Sequence, residues 1–413
     1  MNSLEKDLKL ILNKWKNDNK DLYNHAKEFI QTNQIDYIDL ENLLVMPSFC
    51  DVHVHFREPG YSYKETIKIA SKAAAAGGYT TVFTMPNLKP VPDNYEHLKV
   101  QLDIIKEDSC IEILPYGSIT VDENGKTLSD MQSMKDYVVA YSDDGVGVQS
   151  EYLMKEAMNI ARYFNKKIVA HCEVNSLLNG GYIHDGEYAR LNSHKGICSA
   201  SEYEQAIRDI KLSQEVGCDY HICHVSTAET VEAVRIAKKS AKNMITCETA
   251  PHYLVLTDMD LQEEGRFKMN PPIRSDRDRS ALIQGIKDGT VEIIATDHAP
   301  HSKEEKSRGL AKSAMGIVGL ETAFPVLFTR LVLKNIISLK KLIELISTNP
   351  RRIFGINNKR NDFTVFDISS LYNIDSKNFI STGKATPFDG YEVYGKCLLT
   401  VHNNKIVYNI YDN

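Results

Sequence analysis

From residue 46 to about residue 295, short uninterrupted apolar runs alternate with longer segments patterned at helical spacing, and few folds accommodate that alternation. Eight runs read as buried strands: 46–52, 80–85, 111–119, 137–141, 167–170, 220–223, 244–247 and 291–295. Between them helices are expected at 63–76, 95–106, 150–164, 199–215, 228–239 and 277–287. Strands this apolar suit a parallel sheet, because helices cover its outer face. The eight repeats predict an α/β (β/α)8 TIM-like barrel, with a doubly wound sheet as the alternative.

The pattern changes at both ends. After about residue 356, Phe363-Thr-Val-Phe-Asp367, Tyr391-Glu-Val393 and Cys397-Leu-Leu-Thr-Val401 are strand-like, and Lys405-Ile-Val-Tyr408 follows an Asn403-Asn404 turn. A small β subdomain over 356–413 is expected. At the other end, Leu4, Leu8, Ile11 and Trp15 fall at helical spacing, with both charge signs between them. Residues 1–45 are therefore expected to be a helical extension packed on that subdomain, with little strand character beyond 35–40, and 46–355 to be the barrel. The net charge of −6 disfavours nucleic acid as a partner. No stretch has the ~18 apolar residues of a membrane span, and the first residues lack the build of a signal peptide. The eight cysteines are scattered without CxxC pairs, as in reduced thiols, so a cytoplasmic location is expected.

In a (β/α)8 barrel, chemistry collects where the strands end. The first predicted strand ends in His53 and His55, the fourth runs into Asp143-Asp144-Gly145, and the fifth ends in His171. The sixth ends in His224 and the eighth in Asp297. One histidine in such a place is ordinarily a satisfied core residue. Several ionisable groups buried together without a counter-ion are costly, and a metal cation removes that cost. Imidazole and carboxylate donors suit zinc or a similar divalent ion. Four histidines and two aspartates exceed one tetrahedral site with an open position, but suffice for two ions sharing a carboxylate.

The motifs Asp51-Val-His-Val-His-Phe-Arg-Glu-Pro-Gly60, Thr84-Met-Pro-Asn87, Tyr141-Ser-Asp-Asp-Gly-Val-Gly-Val-Gln149 and His171-Cys-Glu173 resemble those of the bacterial type I dihydroorotases of the amidohydrolase superfamily. So do Cys223-His-Val-Ser-Thr227, Lys268-Met-Asn-Pro-Pro-Ile-Arg274, Thr296-Asp-His-Ala-Pro-His301, Gly316-Ile-Val-Gly-Leu-Glu321 and Gly383-Lys-Ala-Thr-Pro-Phe-Asp-Gly390. The resemblance implies a metal-dependent hydrolase barrel carrying two zinc ions. It places His53, His55 and Asp297 on the more buried ion and His171 and His224 on the second. Many relatives bridge the ions with a carboxylated lysine; residues 137–146 contain none, and Asp144 is the expected bridge, with Asp143 as its alternative.

The same resemblance implies reversible cyclisation of N-carbamoyl-L-aspartate to L-dihydroorotate in pyrimidine biosynthesis, with metal-activated hydroxide and Asp297 as general acid/base. Lowering the pKa of water from ~15.7 to about 7 makes hydroxide about 12 kcal/mol easier to form. Arg57 is expected to clamp the substrate carboxylate with help from Asn87. His55, Asn270, His301, Met315 and Gly316 complete the expected substrate contacts, and Glu173, His252 and His298 are read as groups that orient ligands. A homodimer and an association with aspartate transcarbamoylase are compatible with the resemblance. Hydantoinases and allantoinases are the near rivals, disfavoured by the Asp-Asp-Gly motif and the Arg57/Asn87 pair. A non-catalytic scaffold subunit is the distant one, disfavoured by six intact metal ligands.

Overall fold

The computed structural model describes residues 38–40, 43–240, 242–356 and 362–412. The predicted helix within residues 1–20 lies outside them. Parallel strands Phe49–Val54, Tyr79–Thr84 and Glu112–Pro115 pair in that order. A second parallel set runs Ile168–Ala170, Tyr220–Ile222, Ile245–Thr249 and Ile293–Ile294. Tyr141 joins the two sets through parallel bridges to Gly117 and Ile168, and a bridge from Val54 to His298 closes the ring. The result is the closed (β/α)8 barrel that the alternation predicts.

Its fourth strand is shorter than the predicted 137–141. The amides of Tyr137 and Val138 bond back to Met134 O, making a turn, so only Tyr141 reaches both neighbours. The predicted run 46–52 also divides. Ser48 O is taken by Ser347 Oγ at 2.7 Å and Arg351 Nη1 at 2.9 Å, so the ladder breaks there. Residues before the break join a different sheet from those after it.

The outer helices begin and end on local signals. Thr66, Asn94, Ser150 and Ser275 accept the N-terminal amides of Ile67–Ala76, Tyr95–Asp108, Glu151–Tyr163 and Asp276–Asp288. Gly217 closes Ala200–Val216 at φ 75°, a conformation costly for a residue with a Cβ. Inside the ring, Cys50, Val52, Phe83, Tyr116, Val169, Cys223 and Ile293 share a buried cluster with Ile353 and Phe354. Arg351 of the helix Asn349–Phe354 also donates to Phe49 O, so this helix plugs the N-terminal end of the barrel and leaves the other end for chemistry.

A five-stranded antiparallel sheet lies outside the barrel, in the order Ile38–Leu40, Leu43–Pro47, Phe363–Asp367, Lys396–His402, Lys405–Asn409. Asn403 and Asn404, at φ 49° and 62°, make the two-residue turn between its last strands. The described part of 1–45 is thus strand where a helical extension is expected. The buried run Leu43–Pro47 crosses the 45/46 boundary to pair with the C-terminal tail. The sheet docks through Phe366, whose ring lies 4.3 Å from Phe324 and 5.6 Å from Phe49, and through Thr400 Oγ1, which donates to Ala75 O. Among the described residues no helix is long and apolar enough to cross a membrane, and all eight cysteines are free.

Candidate metal centre

Strand ends from around the ring deliver imidazoles to one carboxylate. Asp144 Oδ2 lies 3.3 Å from His53 Nε2 and 3.4 Å from His55 Nε2. Its other oxygen lies 3.2 Å from His224 Nε2 and 3.7 Å from His171 Nδ1. Asp297 Oδ1 completes the first group at 3.1 Å from His55 Nε2 and 3.6 Å from His53 Nε2. All six side chains are buried. Asp143 is absent from this cluster. Its carboxylate accepts the amides of Ile119 and Thr120 at 2.7 and 3.0 Å and the Thr120 hydroxyl, which pins the loop that presents Asp144.

The ring nitrogens facing away from the cluster fix the tautomers. His53 Nδ1 donates to Glu248 Oε1 at 2.7 Å and His55 Nδ1 to Asn87 Oδ1 at 2.9 Å, so both Nε2 lone pairs point inward. Glu248 also accepts from His221 Nε2 at 3.2 Å and from the His224 amide at 3.3 Å. Glu173 Oε2 lies 3.7 Å from His171 Nε2 and accepts from Asn270 Nδ2 at 2.6 Å. His298 bridges Glu65 and the Gly319 amide, whereas His252 Nε2 has no hydrogen-bond partner. Arg57, His224 and Asp297 have φ of 37°, 30° and 50°. Such backbone costs on the order of 1–3 kcal/mol per residue and persists where its surroundings over-determine it.

The electrostatics favour positive charge at the centre of the cluster. Burial alone would raise Asp144, but the surrounding histidines, His53 foremost, hold its carboxyl well below the usual range. Burial opposes a charge on His171, yet Asp144 and Glu173 push its pKa up to about 10. His171 Nδ1 and His224 Nε2 are 3.0 Å apart, a contact favourable only if a proton or a cation lies between them. His53 Nε2 is buried without a hydrogen-bond partner. Two sets of convergent nitrogen and oxygen donors, sharing the two oxygens of one carboxylate, fit a pair of divalent ions. His53, His55 and Asp297, and likewise His53, Asp144 and His224, offer ligand atoms lying within 4.8 Å of one another. A third such group, His53 with Cys223 and Glu248, is different: burial pushes the Cys223 thiol up, so it stays protonated, and Glu248 holds the other ring nitrogen of His53.

A cavity of about 260 Å³ opens onto the cluster, and every residue expected to touch substrate lines it. Arg57 Nε donates to Pro300 O at 3.1 Å and Nη2 lies 3.4 Å from His301 Nε2, with the guanidinium lining the cavity. Asn87 uses its oxygen on His55 and keeps its amide donors. Burial, with the charges of Arg57, Lys64 and Lys306, pushes His301 down to about 3. The ring is therefore neutral, donating from Nε2 to Met315 O at 2.7 Å with Lys64 Nζ 3.3 Å from Nδ1. Glu248, His221, Glu65 and Lys64 support the site without belonging to any of the sequence motifs' expected roles. Glu248 carried a signal, as a carboxylate inside an apolar run; the predicted strand stopped one residue short of it.

Residues 42–230 match the family described as "Dihydro-orotase-like". The chain is 50% identical over 388 residues to a dihydroorotase of Fusobacterium nucleatum, covering 92% of this chain and 91% of that protein. It is 45% identical over 379 residues to a dihydroorotase of Bacillus subtilis, covering 90% and 88%. Its fold is similar to that of the L-hydantoinase of Arthrobacter aurescens, with a TM-score of 0.77 at 23% identity over 88% of this chain and 85% of that one. A dihydropyrimidinase from Brevibacillus agri superposes with a TM-score of 0.76 at 19% identity, covering 88% and 85%.

Proposed function

The chain belongs to the dihydroorotase family, and from that premise we propose how its site interconverts N-carbamoyl-L-aspartate and L-dihydroorotate, a step of pyrimidine biosynthesis. The observation that carries this reading is Asp144, whose two oxygens face different histidine pairs at the floor of a cavity walled by Arg57. His53, His55 and Asp297 would hold one divalent ion and His171 and His224 another, with Asp144 within reach of both sets. The donor set suits zinc. When bound, such ions supply water of lowered pKa and polarise an amide carbonyl.

The chain's own residues do the rest. Arg57 receives the substrate carboxylate through the end of its guanidinium, and the free amide donors of Asn87 add to that clamp. Asn270, held by Glu173, and the neutral His301 set the plane of the ring against residues 315 and 316. In hydrolysis, Asp297 takes a proton from the attacking water as the C–O bond forms and delivers it to the departing ring nitrogen as the amide C–N bond breaks. In cyclisation it takes a proton from the attacking carbamoyl nitrogen as the C–N bond forms and passes it to the departing carboxyl oxygen, which leaves as water with a second proton from solvent. Glu248 and Asn87 keep His53 and His55 in the tautomer that turns Nε2 inward.

The test is substrate choice. Purified protein is expected to hydrolyse L-dihydroorotate and to leave hydantoins and allantoin essentially untouched. Turnover of either rival substrate with none on dihydroorotate would refute the reading.

A further inference from the structure

We propose that Lys306 is a positioning residue for the substrate, its ammonium tying the segment that carries Asn270 to the loop 314–316. The proposal rests on the dihydroorotase reading and extends it to a residue outside the catalytic cavity. Lys306 Nζ lies 3.0 Å from Lys268 O, 2.8 Å from Ala314 O and 2.7 Å from Gly316 O. An ammonium has three donors and no acceptor, so backbone carbonyls use its whole capacity. No carboxylate lies within ion-pair distance of it among the described residues, and the side chain is 8% exposed. Burying an ammonium without a counter-ion is costly, and burial, with the charge of Lys268, lowers this one to about 7, so near neutral pH the three-way tie belongs to its protonated fraction. A methionine of similar length would fill the space without that cost, so what the lysine adds is the three-way tie.

The tied segments form one side of the cavity. Lys268 lies two residues before Asn270, and Lys268 O also accepts the Gly316 amide at 3.1 Å. Met315 O, between the two carbonyls that Lys306 holds, accepts from His301 Nε2. The loop packs closely at this point: Gly316 is at φ 130°, and a Cβ there would stand 2.8 Å from Ala299 O and 3.0 Å from His301 Nε2. Lys306 itself lines a neighbouring cavity of about 590 Å³ and not the catalytic one, so it reaches substrate through the loop it ties and through its charge beside His301.

The test compares Lys306→Met, which has no donors, and Lys306→Gln, which keeps an amide, with wild type. It measures L-dihydroorotate hydrolysis, metal content and thermal stability of each. Losing hydrogen bonds from a charged donor is expected to raise KM on the order of tenfold in the methionine variant and less in the glutamine variant. The fall in kcat is expected to be smaller than the rise in KM, with metal content as in wild type. An unchanged KM in a folded, metal-replete methionine variant would overturn the proposal, as would losses explained by missing metal. Failure of both variants to fold would assign Lys306 to folding and overturn it too. An inactive wild type would refute the reading beneath the proposal, whereas an active wild type with unaffected variants refutes the proposal alone.

Discussion

Asp297 lies 3.1 Å from His55 Nε2 and 3.6 Å from His53 Nε2, and its proposed roles are ligand and proton carrier. Replacing it with asparagine keeps an oxygen donor but removes the proton acceptor. Asp297→Asn is expected to lower kcat by about 10²–10⁴ while most of the metal stays bound, as read by kinetics and metal analysis on one sample. Glu248 acts one contact further out. Glu248→Ala frees the His53 ring to flip and should weaken metal binding by roughly 10–100-fold in a chelator competition, with a smaller effect on the fully loaded enzyme. The two neighbouring aspartates mark where reading the sequence ran out. Asp143 and Asp144 are equivalent as letters, and what separates them is the pair of amides at Ile119 and Thr120, more than twenty residues away, that occupy Asp143. The histidine set was legible because a polar residue ending an apolar run is conspicuous; Glu248, inside its run, was not.

At the scale of elements, the tail segment 380–382 is held by two carboxylates from the barrel, Glu65 buried and Glu321 part-buried. Glu321 accepts the amides of Ile380 and Ser381, and Glu65 accepts the Thr382 amide and the Ser381 hydroxyl. Burial pushes Glu321 up to about 7. Between about pH 4.5 and pH 7 the folded chain keeps a proton here that the unfolded chain has released. Stability from this group is therefore present below that window and is lost as pH rises through it. Glu321→Gln should flatten that decline, so its unfolding midpoint is expected to change less than wild type between pH 5 and 7. Helix limits were legible because Asn94, Ser150 and Ser275 announce helix starts through their own side chains. Strand limits were less so. The run 46–52 looks continuous, yet Ser347 and Arg351, some three hundred residues later, take Ser48 O and split it between two sheets.

The whole molecule separates stability from chemistry. The antiparallel sheet carries none of the six proposed ligands, and the rings of Phe366, Phe324 and Phe49 fasten it to the barrel. Phe366→Ala is expected to cost about 3–5 kcal/mol in denaturant unfolding while leaving kcat near wild type. That the N-terminal strands complete this sheet was hidden by short, mostly polar surroundings: Leu43–Pro47 pairs with Phe363–Asp367, far along the chain, and Ile38–Leu40 pairs in turn with Leu43–Pro47. The barrel itself is shared with hydantoinases, so it does not select the substrate; the site residues do. Two sets of histidines sharing Asp144 are proposed to make this barrel a metal-dependent dihydroorotase. The most direct test is L-dihydroorotate hydrolysis followed against bound metal, through chelation and then zinc reloading. Activity should vanish as metal is removed and return as it is restored, reaching its maximum near two ions per chain. Full turnover by the metal-free protein would contradict the claim.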